Sequence, residues 1–202
     1  MEMVRKREFD TDKVLQAAME VFWEKGFEAA SLADLTTAMG IQRPSLYAAF
    51  GDKNELFEST LRRYNAWHAA YIRSLLQHAS SVKEAFRTLF EQIGTEDVTN
   101  TSIRRGCFCI NTMVELAPHD SKFAVLTREH QMYLAAIFRD TIERGQRTGE
   151  LSEVLQSEEL AHSLVVSMIG LTVLMKSRPD HTFVKQSIEL ALSLFNKKTS
   201  ST

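Results

Sequence analysis

The sequence predicts an all-α chain of about nine helices, an N-terminal three-helix helix-turn-helix head followed by a larger helical body. Three observations carry the prediction. Apolar residues recur at three- and four-residue spacings along most of the 202 residues, the period of helices with one buried face. Only eight glycines and three prolines interrupt a chain rich in Leu, Ala, Glu and Met, which are good helix formers. Residues 31–57, SLADLTTAMGIQRPSLYAAFGDKNELF, read as two short helices around a tight turn and the start of a third.

Asp10 or Thr11 can cap a first helix running to about Lys25, with Val14, Ala18, Val21 and Phe22 inward and Gly26 as its stop. Ser31 can cap the second, on which Leu32, Leu35 and Met39 share a face. Gly40 ends it where a left-handed residue is needed. Pro44 falls in the first turn of the third helix, where its missing N–H costs nothing. Leu46 and Phe50 bury one face there, so Arg43, Ser45, Tyr47 and Ala48 turn outward. Asp52 can cap a fourth helix that carries Lys53 just inside and runs past Leu56, Leu61 and Trp67 to about His78. After a break at Ser80 and Ser81, residues 82–93 form a helix with Phe86, Leu89, Phe90 and Ile93 inward. Residues 94–105 read as a polar loop, and residues 106–116 as a compact apolar segment ended by Pro118. A long helix spans residues 121–147, with Phe123, Leu126, His130, Tyr133, Leu134, Ile137, Phe138 and Ile142 on its apolar side and Gly149 at its end. Pro179 separates two final helices, residues 157–176 and 181–197, and a disordered tail is expected over 198–202.

Two short helices, a three- to four-residue turn and a polar second helix make a helix-turn-helix. Its second helix fits the major groove of DNA. Total charge does not assist, because residues 1–63 hold nine Lys/Arg against eleven Asp/Glu. Placement matters more. Between Ala29 and Gly51 the charges are Asp34 and Arg43, and Arg5, Lys6 and Arg7 form a basic arm before the first helix. Few ion pairs, many neutral hydrogen bonds and a modest salt dependence follow.

In order and spacing, residues 18–27, Ser31 to Leu35, Gly40, Ser45 to Tyr47, Phe50, Lys53 and residues 55–57 resemble the tetracycline-repressor (TetR) family of bacterial transcriptional regulators. The match covers about a quarter of the chain; the family pattern has polar residues where Ala48 and Ala49 stand. The resemblance implies a DNA-binding domain over residues 1–52 and a helical ligand-binding and dimerisation domain over 53–202. It also implies a palindromic operator, a homodimer and a small-molecule inducer. Candidate DNA contacts are Ser31, Thr36, Gln42, Arg43, Pro44, Ser45, Tyr47 and Lys53. Arg43, the one cation of the reading helix, suits a guanine edge, and Lys53 suits a phosphate.

Residues 164–175 are apolar nearly all the way round, so that helix is buried on more than one side. Either the chain's own core covers it or a partner subunit does. The resemblance favours a four-helix bundle between two copies, with Leu164, Val166, Gly170, Val173, Val184, Ile188, Ala191 and Phe195 as the candidate interface. Trp67, Tyr71, Phe90, Cys107, Phe108, Met113, Tyr133 and Met168 are candidate ligand contacts, by the apolar and aromatic character that pockets share with ordinary cores. Arg104 and Arg105 precede Cys107 at the start of a helix, a setting that favours a thiolate; the alternative is a small buried residue. Cys109 would point about 200° away, at roughly 100° per residue, so the two are not expected to pair. The Gly106-Cys107-Phe108 run is similar to branches of the family that include sensors of reactive electrophiles, oxidants or copper.

The six histidines show no metal-ligand spacing, and neither a metal nor a cofactor is expected. No phosphate-binding glycine loop or Gly-x-Ser-x-Gly run is present, which argues against an enzyme. The N-terminus lacks an apolar leader, and the longest apolar stretch, twelve residues, is too short to span a bilayer. A cytoplasmic regulator with no membrane partner is expected. An architectural DNA binder and a dimeric ligand-binding protein with a vestigial head stand as alternatives.

Overall fold

A computed structural model describes residues 10–95 and 105–196. The basic arm Arg5 to Arg7, Arg104 with most of the expected loop, and the C-terminal tail lie outside the described residues. Nine α-helices follow one another in the described residues: α1 Thr11–Lys25, α2 Leu32–Met39, α3 Arg43–Phe50, α4 Lys53–His78, α5 Val82–Gly94, α6 Phe108–Glu115, α7 Ser121–Arg147, α8 Ser157–Met175 and α9 His181–Ser193. A short 3-10 turn, Leu194–Asn196, ends them.

The caps explain the boundaries. Asp10 accepts the backbone N–H groups of Asp12 and Lys13 to start α1. Ser31 with Asp34 and Asp52 with Glu55 form reciprocal capping boxes on α2 and α4. The Glu150 carboxylate accepts from the Val82 and Lys83 N–H groups, so a distant side chain caps α5 beside Ser81.

Two hydrophobic clusters make the core. The lower joins Val14, Ala18, Phe22, Leu35, Met39 and Leu46 of the head to Leu56, Phe57 and Tyr64 of α4, Phe108 and Cys109 of α6, and Phe123 of α7. Phe57 is its hub, in edge contact with Phe22, Phe27, Phe108 and Phe123 at ring separations of 4.9, 5.2, 5.2 and 5.3 Å. Replacing such a ring by alanine costs about 3–5 kcal/mol. Head and body therefore share one core across residues 52 and 53. The upper cluster packs the second half of α4 with α5, α7, α8 and α9.

By length and composition α8 is long and apolar enough to cross a membrane, which a count of its twelve-residue apolar stretch missed. In the fold, Leu160, Ala161, Leu164, Val165, Met168, Leu171 and Met175 are instead buried in the bundle.

Candidate nucleic-acid interface and ligand cavity

α2 and α3 meet through a three-residue turn, Gly40 to Gln42, in which Gly40 takes the left-handed conformation at φ 64°. Its N–H and that of Ile41 return to the last turn of α2. Leu46 is fully buried and roots α3 on the head, while Gln42, Arg43, Pro44, Ser45 and Tyr47 are exposed. The exposed Gln42, Arg43, Ser45 and Tyr47 give α3 a polar outer surface, with Tyr47 47% exposed. Lys53 lies at the N-terminus of α4, its Nζ 4.5 Å from the Phe27 ring centroid and 3.5 Å from the Glu28 carbonyl.

Ser31 and Thr36 are differently engaged. The Ser31 hydroxyl donates to Asp34 at 2.7 Å and accepts the Asp34 N–H, and Thr36 donates to the Leu32 carbonyl at 2.8 Å. Their hydroxyl protons serve the helix. Asp34 is also tied to Lys25 at 2.7 Å, and the Lys25 and Ser31 bonds hold its carboxyl well below the usual range. That ion pair braces α1 against α2.

In the body, a cavity of about 250 Å³ opens between α4, α5, the start of α6, and α8. Tyr64, His68, Tyr71, Gln92, Cys107 and Met168 are among its walls. Of the eight candidate ligand contacts, Tyr71, Cys107 and Met168 meet there. Phe108 is buried in the lower core instead, Phe90 faces the α8–α9 side, and Trp67 and Tyr133 lie exposed on the outer surface. Met113 is half-buried on α6 and does not reach the cavity. Aromatic residue types show apolar preference but not direction, which is why only three of the eight converge.

Tyr64, His68, Gln92, Ile110, Thr172 and Met175 were missed as cavity residues. The spacing of His68 and Tyr71 on α4 offered one signal, since residues three apart share a face. His68 Nδ1 lies 3.1 Å from His130 Nε2 on α7, and its ring stacks on Tyr64 at 5.4 Å. Burial pushes His68 down to about 3, helped by His130, and burial alone pushes His130 down to about 4.

Cys107 corrects the expectation of an easily ionised thiol. Burial pushes it up, against the opposing pull of a Tyr64 hydrogen bond, nearby backbone N–H groups and Lys176. The side chain is enclosed although the residue keeps some surface at the cavity. Arg105 does not face it, being ion-paired to Glu20 and set over the Trp23 ring. Cys109 is fully buried, and burial raises its thiol far more.

The proposed dimer residues divide. Leu164, Val184, Ile188 and Phe195 are buried within the chain; Val184 and Ile188 lie against Gly94 of α5, and the Phe195 ring packs tilted on Phe86 of α5 at 5.2 Å. Val184, Ile188 and Phe195 are thus taken up against α5 and Leu164 by the upper core, while Ile188 also edges a groove between α8 and α9. Val166, Gly170 and Val173 are exposed, Ala191 is half-buried, and Phe183 and Leu190 add unpredicted apolar surface at 53% and 73% exposure.

Comparisons agree with this arrangement. The family model described as bacterial regulatory proteins, tetR family, matches residues 14–60, and a tetracyclin repressor-like C-terminal domain matches residues 93–190. The chain is 34% identical to an uncharacterized HTH-type transcriptional regulator, YezE of Bacillus subtilis strain 168, over 96% of this chain and 100% of that protein. It is 33% identical to the HTH-type transcriptional repressor ComR of Escherichia coli K12, over 84% of this chain and 80% of that one. A cysteine mutant of the TetR-family regulator CifR, solved with 26-base-pair operator DNA, superposes with a TM-score of 0.78 at 36% identity, covering 93% and 98% of the two chains. These relatives are transcriptional regulators rather than enzymes. With a helix-turn-helix head whose polar helix stands free and a relative matched over its full length at 34% identity, the chain belongs to the TetR family of DNA-binding transcriptional regulators.

Proposed function

We propose that this regulator is a cytoplasmic homodimeric repressor, released from a palindromic operator when a small molecule enters the cavity beside α4. The observation that carries the DNA reading is the unpartnered polar face of α3. Arg43 and Tyr47 stand exposed on a helix rooted by the buried Leu46. Arg43 reads a guanine edge, Ser45, Tyr47 and Gln42 add neutral contacts, and Lys53 with the α4 N-terminus holds a phosphate. Residues 1–52 read DNA, and residues 53–202 bind the inducer and the second copy. Two heads of a dimer, one helical turn apart, match a palindrome.

The dimer reading rests on two apolar rows. Val166, Gly170 and Val173 on α8, and Phe183, Ser187 and Leu190 on α9, each follow a helical i, i+4, i+7 spacing. Gly170, Phe183 and Ser187 of these rows line a groove of about 220 Å³ between α8 and α9 that side chains of a partner helix would enter.

The test is selection of binding sites from a random DNA library, followed by competition gel shift. An enriched palindrome should outcompete random DNA. Arg43→Ala should weaken that site by about 1–3 kcal/mol and relax its sequence preference, whereas Lys53→Ala should weaken all DNA alike. Failure to enrich any sequence would overturn operator recognition in favour of an architectural binder.

A further inference from the structure

The cavity's walls restrict what can enter it. None of its thirteen lining residues is Asp, Glu, Lys or Arg. Arg105 and Lys176 line a separate space between α1 and α6, where Lys176 donates to Asn111 at 2.6 Å. The hydroxyls on the wall are committed to the protein. Tyr71 donates to Gln92 at 2.6 Å, Thr172 donates to the Met168 carbonyl at 2.8 Å, and Tyr64 is bonded to the Cys107 thiol. His68 uses Nδ1 on His130. Its Nε2 has no protein partner among the described residues.

Resting on the reading that this cavity is the inducer site, we infer that it takes an uncharged, mostly apolar molecule whose single hydroxyl or carbonyl meets Nε2 of His68. An apolar space of about 150 Å³ holds a benzene ring, so 250 Å³ suits a molecule of roughly ten non-hydrogen atoms. A carboxylate or ammonium would leave water and find no charged side chain in the wall, and the nearby Lys176 behind Gly106 is already bonded to Asn111, so entry of an ion is costly. His68 does not supply one, because burial and the adjacent imidazole keep it neutral.

His130 sets the role of that nitrogen. In a neutral pair each ring carries one N–H, and the 3.1 Å contact uses one N–H and one lone pair. If His68 Nδ1 donates, Nε2 is an acceptor and suits a hydroxyl. If His130 Nε2 donates, His68 Nε2 carries a proton and suits a carbonyl. The change moves one proton across the contact, takes one up at His68 Nε2 and releases one from His130 Nδ1. His130 also lines an outer groove between α4 and α7, which gives that proton a way to water.

Four probes of one shape test this: 2-phenylethanol, ethylbenzene, phenylacetate and 2-phenylethylammonium, titrated into the full-length protein with ¹⁵N-labelled histidine rings. The alcohol should bind at least tenfold more tightly than either ion and shift the His68 ring nitrogens. His68→Phe should weaken the alcohol by roughly three- to tenfold, the worth of one hydrogen bond, and leave ethylbenzene unchanged. His68→Gln, which restores a polar group, should recover part of the loss. An ion that binds as well as the alcohol to the wild type overturns the inference whether or not the variants fold. So does an alcohol affinity unmoved by a folded His68→Phe. If neither neutral probe binds, the inducer-cavity reading fails with it.

Discussion

Mild acid should weaken this fold through the His68–His130 pair. In the unfolded chain each imidazole titrates near pH 6.5. In the fold they are held down to about 3 and about 4, chiefly by burial. Below pH 6.5 the unfolded chain therefore binds protons that the folded chain refuses. Stability is full above that pH and falls as the pH drops toward the folded values. At pH 5 each histidine accounts for a loss of about 2 kcal/mol, 1.5 pH units below its unfolded value at 1.36 kcal/mol per unit, and the pair about 3–4 kcal/mol. That is a large share of a typical 5–15 kcal/mol.

Urea unfolding at pH 7 and pH 5, at one fixed protein concentration, measures it. The carboxylates held low by hydrogen bonds, Asp34, Glu58, Glu150 and Glu189, lose their contribution only as pH falls below the ordinary carboxylate range, so they lie outside this window. The double variant His68→Gln, His130→Asn should lose most of the pH dependence. A wild type equally stable at both pH values, or a double variant that weakens as much as the wild type, would refute the reasoning.

A Cβ at Gly170 meets nothing within 4 Å in the chain, so Gly170→Arg should leave the fold intact yet yield monomers by light scattering, with operator affinity reduced at least tenfold. Leu190→Glu should act alike; dimers in both variants would place the interface elsewhere. N-ethylmaleimide should modify Cys107 more slowly than free cysteine at pH 7.5, and faster as pH climbs past 9, because burial raises its thiol; a faster reaction than free cysteine would restore the activated-thiol reading. Arg178 holds φ 54° after α8, so Arg178→Gly should stabilise the protein by about 0.5–1 kcal/mol in thermal melts.

The head was legible because its signals are local. Ser31, Gly40, Pro44 and Asp52 declare caps and turns within a few residues, and those boundaries recur in the fold. The body was less so. Periodicity reveals that Val184, Ile188 and Phe195 share a face, but not whether α5 or a partner covers it. The same limit applies to Cys107. Two adjacent arginines suggested activation, yet Arg105 turns to Glu20, 85 residues earlier in the chain, and desolvation dominates. The His68–His130 contact joins residues 62 apart on two helices, for which no sequence spacing gives a sign.

On the proposed reading, the same geometry gives occupancy of the cavity a route to the DNA-reading helix. Tyr64 and Gly106 both belong to the cavity wall and both touch Trp23 of α1. The Tyr64 and Trp23 rings lie 5.1 Å apart, and Trp23 Nε1 donates to the Gly106 carbonyl at 3.0 Å. Gly106, at φ 65°, holds that carbonyl in place immediately before the Cys107 cap of α6. Glu115 at the far end of α6 accepts the Glu28 N–H at 3.1 Å. α6 is thus fastened to the head at both ends, and α4 meets the same core through Phe57. A molecule that displaces the start of α6 cannot do so without pulling on α1 or breaking a buried contact, because close-packed cores do not deform smoothly. α1 in turn carries α2 through the Lys25–Asp34 pair, and α2 leads directly into the turn that sets α3. A small shift at Gly106 therefore has a short, continuous route to the reading helix, in parallel with the longer one through α4.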